Sequence, residues 1–462
     1  MAKSLSSTSS NGSHLSARYL AFVVLRDIDK GAFADVALER NIRNFALEPA
    51  DRRLATELIY GTVRRQRTLD ALIDQLGKRT ADQQPADLRR ILHLGFYQLR
   101  YLDHVPNHAV VDTTVQLAKH QRLGKLSGVV NGMLRQYIRL QGNDGDPLQL
   151  PADETQALGI LHSYPDWIIQ AWQQLVPAAD VASLCEWFNQ VPKTDLRVNR
   201  LRTTVDQVVT ALSDRGLTVT SHAGIPDGVR IVGATGNVRQ LPGYDDGWWM
   251  VQDSSAQLVS YLVDPQPGET VIDACAAPGG KTAHLAEMMG DTGRVLGCDR
   301  TSSRLNKIRQ NAKRLQLTSI ETVMGDSRNH PDFEGIADRV LLDVPCSGLG
   351  TLHRHADARW RQTPKSIIGL TTLQRELLEA AVAWVKPGGV LVYSTCTLHP
   401  DENQNLIQAF LAHHPDWQIQ PPAADSPVAP FTTAEGWATV WPHQQDMDGF
   451  FMVKLRRKPA TA

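Results

Sequence analysis

The chain has 462 residues, 42% of them hydrophobic and 21% charged, and a formal net charge of −1. That length exceeds what one hydrophobic core usually supports, so two or three domains are expected, and the composition argues against both wholesale disorder and a membrane protein. No stretch approaches the roughly 20 uninterrupted apolar residues of a spanning helix, and five cysteines without a CxxC pair argue against a disulfide framework or zinc knuckle and for a reducing cytoplasm.

The opening MAKSLSSTSSNGSHLS is polar and Ser-rich and lacks the apolar centre of a secretory signal, so 1–15 is expected to be a disordered tail. From 16 to 145 the pattern predicts an all-α domain. Leu69, Leu72, Ile73 and Leu76 fall at helical spacing, and Val130, Met133, Leu134 and Tyr137 repeat it. Between Ser16 and Leu140 there are 20 Lys and Arg against 13 Asp and Glu. The runs Arg64–Arg65–Gln66–Arg67, Lys78–Arg79, Arg89–Arg90 and Lys119 to Lys125 fit either a nucleic-acid backbone or a solvated helix surface, and charge alone leaves both open. Gly142 to Pro151 has the composition of a linker.

Residues 152–250 are expected to hold a helical linker and a small α+β subdomain. Helix is predicted from Pro165 to Trp187, then a strand over Arg197–Leu201. A helix follows on Val205, Val208, Val209 and Leu212, and two strands over Leu217–Thr220 and Val229–Val232. This order suggests an RNA-recognition-like module without that module's aromatic stacking signature. Trp248 and Trp249 fit packing better than base stacking. From 251 to 458 strands and helices alternate, with strands at Val271–Ala274, Val295–Cys298, Ile320–Met324, Val340–Asp343 and Val390–Ser394. Alternation of this kind predicts a doubly wound, Rossmann-like α/β domain, finished by an antiparallel pair at Trp437–Trp441 and Phe450–Leu455.

In open α/β sheets ligands bind beyond the carboxyl ends of the strands. Ala276-Ala277-Pro278-Gly279-Gly280 follows the first of these strands, with a helix opening after Lys281. Small residues let backbone N–H groups approach a ligand, and the helix directs its positive end there. Asp299 closes the second strand, where it can accept from ribose hydroxyls, and Asp326 follows the third, within reach of an adenine amine. The GxGxxG fingerprint of dinucleotide folds and the GxxxxGK[ST] of a P-loop are both missing. S-adenosylmethionine, which needs ribose and adenine contacts but no diphosphate site, suits the pattern.

Cys346 in DVPC and Cys396 in STC lie just past two further strands, and both overhang one crevice if those strands are neighbours. Cys185, Cys275 and Cys298 suit the simpler role of small buried hydrophobes. Carbon 5 of cytosine is a poor nucleophile until a thiolate adds to carbon 6 and breaks the aromaticity; the thiol must later be eliminated. Asp343 is placed to hold the ring edge. Lys281 neutralises nearby carboxylates or simply starts its helix, and Asp401–Glu402–Asn403 favours a helix amino-terminus after Pro400.

DACAAPGGKT, LLDVPCSGLG and VYSTCTLHPDEN, with the closing DGFFMVKL, resemble the RNA cytosine-5 methyltransferases over nearly the whole chain, and among them the type acting on 16S ribosomal RNA. The helical first domain is similar to the NusB fold. The resemblance implies Cys396 as nucleophile and Cys346 as the thiol that assists product release. It implies a cofactor site on Cys275, Ala276, Ala277, Pro278, Gly279, Gly280, Lys281, Asp299, Asp326 and Asp343. It also implies an RNA partner, S-adenosyl-L-methionine as cofactor, no metal, no membrane, and a cytoplasmic monomer. A transfer-RNA substrate, or a non-catalytic RNA-binding assembly factor, are the alternatives. Val344 replaces the alanine of the family's usual DAPC, and HADARW (355–360) departs from its HPD form.

Overall fold

The computed structural model describes residues 10–458, and its chain forms two compact units. The first runs to Gln173 and takes in a later segment, His355–Arg361. It contains α1 (Ser10–Asp29), α2 (Ala34–Ile42), α3 (Pro49–Arg64), α4 (Gln66–Leu76), α5 (Ala86–Tyr101), α6 (Asn107–His120), α7 (Ser127–Asp144), α8 (Glu154–His162) and α9 (Asp166–Gln173). The expected disordered tail is corrected at its end: 1–9 lie outside the described residues, but the backbone is helical from Ser10. The linker begins late, because α7 continues to Asp144. Asp153 starts α8 by accepting a hydrogen bond from Gln156 N.

The apolar stripe of α4 (Leu69, Leu72, Ile73) is buried against those of α1, α5 and α7 in a single core. Within the basic run at 64–67 one arginine is turned inward and two are half-buried. Arg64 is buried, and Arg67 donates from Nη1 to Tyr164 O and to Asp166 Oδ1, the latter at 2.6 Å. Arg65 lies over the Tyr101 ring at 4.7 Å. The HADARW segment is likewise taken up by packing. Arg359 is fully buried over the Tyr164 ring at 4.1 Å, Trp360 Nε1 donates to Val63 O at 2.7 Å, and Ala356 sits in the helical core.

The second unit comprises Gln174–Arg354 and Gln362 onward. It opens with α10 (Ala178–Trp187), then β1 (Thr194–Val198), α11 (Val205–Ser213), β2 (Thr218–Ser221), β3 (Gly228–Val232) and β4 (Trp249–Val251). Thr204 and Gln207 form a capping box that starts α11. The four strands make an antiparallel sheet in the order β2-β3-β1-β4. Trp249 is fully buried there, its Nε1 donating to Pro242 O, as expected of a packing residue.

The larger sheet follows, with α12 (Ser254–Val263), β5 (Thr270–Asp273), α13 (Gly280–Met288), β6 (Arg294–Asp299), α14 (Ser302–Leu315), β7 (Ile320–Met324) and β8 (Ala337–Asp343). It is completed by α15 (Pro364–Val382), β9 (Val385–Thr395), α16 (Gln404–His413), β10 (Trp417–Ile419), β11 (Ala438–Val440) and β12 (Phe450–Arg457). Its order is β10-β12-β9-β8-β5-β6-β7, with β11 also pairing β12. The five strands from β9 to β7 are parallel, whereas β12 runs antiparallel to β9. Side chains alternate between two cores. Val271, Val295 and Leu341 pack with α12 and α13, while Ile272, Leu296, Val340 and Leu342 pack with α15 and α16. Burial on both faces explains the nearly continuous apolar run of β8. From β5 the chain winds out through β6 and β7, then returns to β8 on the other side of β5. The crevice of this sheet therefore opens between the carboxyl ends of β5 and β8.

Candidate active site

The turn after β5 is fixed by its backbone. Ala276 N donates to Cys298 O at 2.9 Å, and Gly279 N to Ala276 O at 2.7 Å. Gly279 has φ +100°, and a Cβ there would lie 3.2 Å from Ile308 Cα, so the position demands glycine. Asn311 donates to Pro278 O at 3.0 Å and Arg304 to Ala277 O at 3.1 Å, which fixes the turn against α14.

Acids stand at successive strand ends around this turn. A cleft of about 480 Å³ is lined by Cys275, Ala277, Asp299, Asp326, Asp343, Cys346 and Cys396, among others. Asp299 Oδ1 accepts from Thr301 N at 2.9 Å, and Arg304 lies 3.1 Å from Oδ2. Hydrogen bonds from Arg328, with help from Arg300, hold Asp326 down at about 2, so it is ionised. Three carboxylates, at Asp299, Asp326 and Asp343, offer acceptors to hydroxyl and amine donors. They suit the ribose hydroxyls and adenine amine of S-adenosylmethionine.

Asp343 and Ser394 are paired residues of β8 and β9, which makes the two cysteine loops neighbours. Asp343 Oδ1 accepts from Ser394 Oγ and Oδ2 from Lys281 Nζ, each at 2.8 Å. Lys281, the second residue of α13, thus neutralises a carboxylate of the cleft. Burial lowers its ammonium, but Asp343 and the Cys396 sulfur more than offset this and leave it above its usual value. Phe450 lies 5.0 Å beneath it.

The sulfurs of Cys346 and Cys396 are 3.3 Å apart. The hydrogen bond with Cys396, and burial, push the Cys346 thiol well above its ordinary range, and either sulfur can donate to the other. Cys275 reaches the cleft but is raised by burial and then by Asp273 and Asp343, and Cys298 is pushed up by burial to about 12. Both remain protonated thiols. Cys185 is simply buried.

Two residues near the site carry no chemical signature in the sequence. Arg197 of β1 is fully buried, donates to Gly280 O at 2.6 Å and pairs with Glu287 at 2.8 Å. It anchors the start of α13 from the small sheet, and removing one partner of such a buried pair costs about 3–5 kcal/mol. Glu402, expected only to favour a helix start, is instead fully buried and accepts from Ser347 N at 2.9 Å. A hint was the position of the acid: PDEN follows within six residues of the strand-end Cys396.

A doubly wound sheet with a glycine turn, strand-end acids and no diphosphate cradle is the architecture of a methyltransferase domain. Comparison with known proteins sharpens that class. The family model for 16S rRNA methyltransferase RsmB/F matches residues 260–456. The NusB family matches 15–139, and the RsmF/B-like ferredoxin-like domain matches 164–238. A probable ribosomal RNA small subunit methyltransferase B of Synechocystis sp. is 50% identical over 96% of this chain and 100% of its own length. A ribosomal RNA small subunit methyltransferase B of Serratia proteamaculans is 37% identical, over 88% of this chain and 90% of that one. The crystal structure of PH0851 matches with TM-score 0.79 at 26% identity, covering 98% of this chain and all of that one. The chain belongs to the ribosomal RNA small subunit methyltransferase B family.

Proposed function

We propose that the protein methylates carbon 5 of a cytosine in small-subunit (16S) ribosomal RNA through a transient bond between Cys396 Sγ and carbon 6. The observation that carries this reading is the pair of sulfurs 3.3 Å apart at the mouth of the acid-lined cleft. Cys275, Ala276, Ala277, Pro278, Gly279 and Gly280 would hold the cofactor at the turn, with Asp299 and Asp326 accepting from its ribose and adenine. When bound, S-adenosylmethionine supplies an electrophilic methyl group and departs as the neutral thioether.

The target base has to leave its stack to enter the cleft. Cys396 loses its proton and adds to carbon 6, and the electron pair of the 5,6 double bond moves to carbon 5, which then takes the methyl group. Asp343, paired with Lys281, holds the N3 edge of the ring while N3 takes up the proton that left Cys396. The carbon 5 proton next passes to water and its electron pair rebuilds the double bond. The carbon 6–sulfur pair returns to Cys396, the Cys346 thiol supplies the proton that caps the departing sulfur, and the proton held at N3 passes to Cys346 and restores its thiol.

The test is incubation with methyl-labelled cofactor and total RNA from a strain lacking the enzyme, followed by mapping of the labelled nucleotide. Label on a cytosine of 16S ribosomal RNA is expected. Label on transfer RNA would move the substrate, and none would leave an RNA-binding factor. Cys346→Ala is expected to accumulate a covalent protein–RNA band on denaturing gels; normal turnover without that band would remove Cys346 from the release step.

A further inference from the structure

We propose that Glu402 is the positioning residue that holds the Cys346 and Cys396 loops in register, setting the spacing of the sulfurs for the reaction proposed above, on which the inference rests. Ser347 directly follows Cys346, and Thr397 directly follows Cys396. Their hydroxyls are 2.7 Å apart. The Glu402 carboxylate sits on both. Oε1 accepts from Ser347 N at 2.9 Å, and Oε2 accepts from the Ser347 hydroxyl and from Thr397 Oγ1 at 3.5 Å.

The clamp extends to the residues on either side. Gln374 of α15 donates to Glu402 Oε1 at 2.9 Å and to Pro345 O at 3.0 Å, so the residue before Cys346 is tied as well. Asn403 accepts from the Thr395 hydroxyl at 2.6 Å and donates to Thr397 O at 2.9 Å, gripping the residues that flank Cys396. Tyr393 OH donates to the Glu402 carbonyl at 2.7 Å, which pins the clamp to β9.

Ser347, Gln374, Thr397 and Glu402 are all buried, and the donors to the carboxylate are all neutral. Burying a carboxylate held by neutral donors is costly, and an apolar side chain of similar volume would fill the space at less cost. What such a side chain cannot do is accept from several donors on two separate loops at once. The charge is spent on geometry.

The test compares wild type, Glu402→Ala, Glu402→Gln and Ser347→Ala as full-length proteins. Diamide, which takes two electrons and two protons as a disulfide forms, reports the Cys346–Cys396 spacing without RNA or cofactor, the bridge being identified by peptide mass mapping. Glu402→Ala is expected to slow that bridge about tenfold and lower kcat about 100-fold, with KM for S-adenosylmethionine within about twofold, the pattern of a displaced reacting group. Glu402→Gln, which keeps one acceptor, should recover about a tenth of the lost rate, a graded rescue that a mere packing defect would not give. Ser347→Ala, a small change, decides the matter if Glu402→Ala does not fold, and should slow both processes about tenfold. Unchanged bridging and kcat beside an active wild type would overturn the positioning role alone. Slowed bridging in a protein whose wild type methylates no RNA would uphold the clamp and overturn the proposed reaction.

Discussion

Charged groups are put to different uses in the two units. In the helical unit Arg64 and Arg359 lie inside, and Arg359 stacks on Tyr164 and donates to the Arg64 and Ser163 carbonyls. In the catalytic unit Lys281 and Asp343 meet beside an open cleft, next to a pair of thiols. A cation on a helix can be turned inward and consumed by packing. A residue at the carboxyl end of a parallel strand can instead face the crevice of the sheet, as Asp343 does, and its charge is then available to a ligand.

Substitutions can break this contrast. The largest effect is expected for Cys396→Ala, with methyl transfer reduced by at least about 10⁴-fold and cofactor affinity by calorimetry unchanged; full turnover would end the covalent scheme. Lys281→Met leaves Asp343 without its cation and should cost about 10²-fold in kcat with little change in the denaturation midpoint. Arg359→Ala should do the reverse, costing about 3 kcal/mol in urea unfolding of the helical unit while leaving cofactor binding as it was. If Arg359→Ala instead lowered cofactor affinity, the role of Arg359 would not be confined to packing.

A buried group held neutral should give a change that shows only as the pH is lowered. Burial, aided by Arg197, lowers His284 from 6.5 to about 4. Between those values the unfolded chain binds a proton that the folded chain refuses. The stability present above pH 6.5 is therefore lost as pH falls toward 4, by about 3 kcal/mol. His284→Gln should lose that much less over the same interval in urea titrations. Parallel curves for the two proteins would assign the acid sensitivity to other groups.

Much of the catalytic sheet was legible because its signals are local. Strand, glycine turn and helix follow one another from Thr270 to Met288, and each strand-end acid sits beside its own apolar run. Glu402 was not, since an acid just after Pro400 has the local pattern of a helix start; only the fold shows it reaching Ser347, 55 residues away. Arg197 looked like one polar position of an alternating strand, and its partner Glu287 lies 90 residues on. The edge strand β10, with three residues, is too short for periodicity to register. The burial of Arg64 was not legible because charge counts carry no information about which helix face turns inward.

His355–Arg361 carries a practical lesson for anyone dissecting the molecule. The bundle's interior includes Ala356, and its rim is bonded to Trp360, yet both are encoded far downstream of Gln173. A gene truncated after Gln173 would yield a bundle with a hole where that heptapeptide belongs. Splitting this protein into working halves calls for grafting the missing piece, because the chain cannot be cleanly cut at one place.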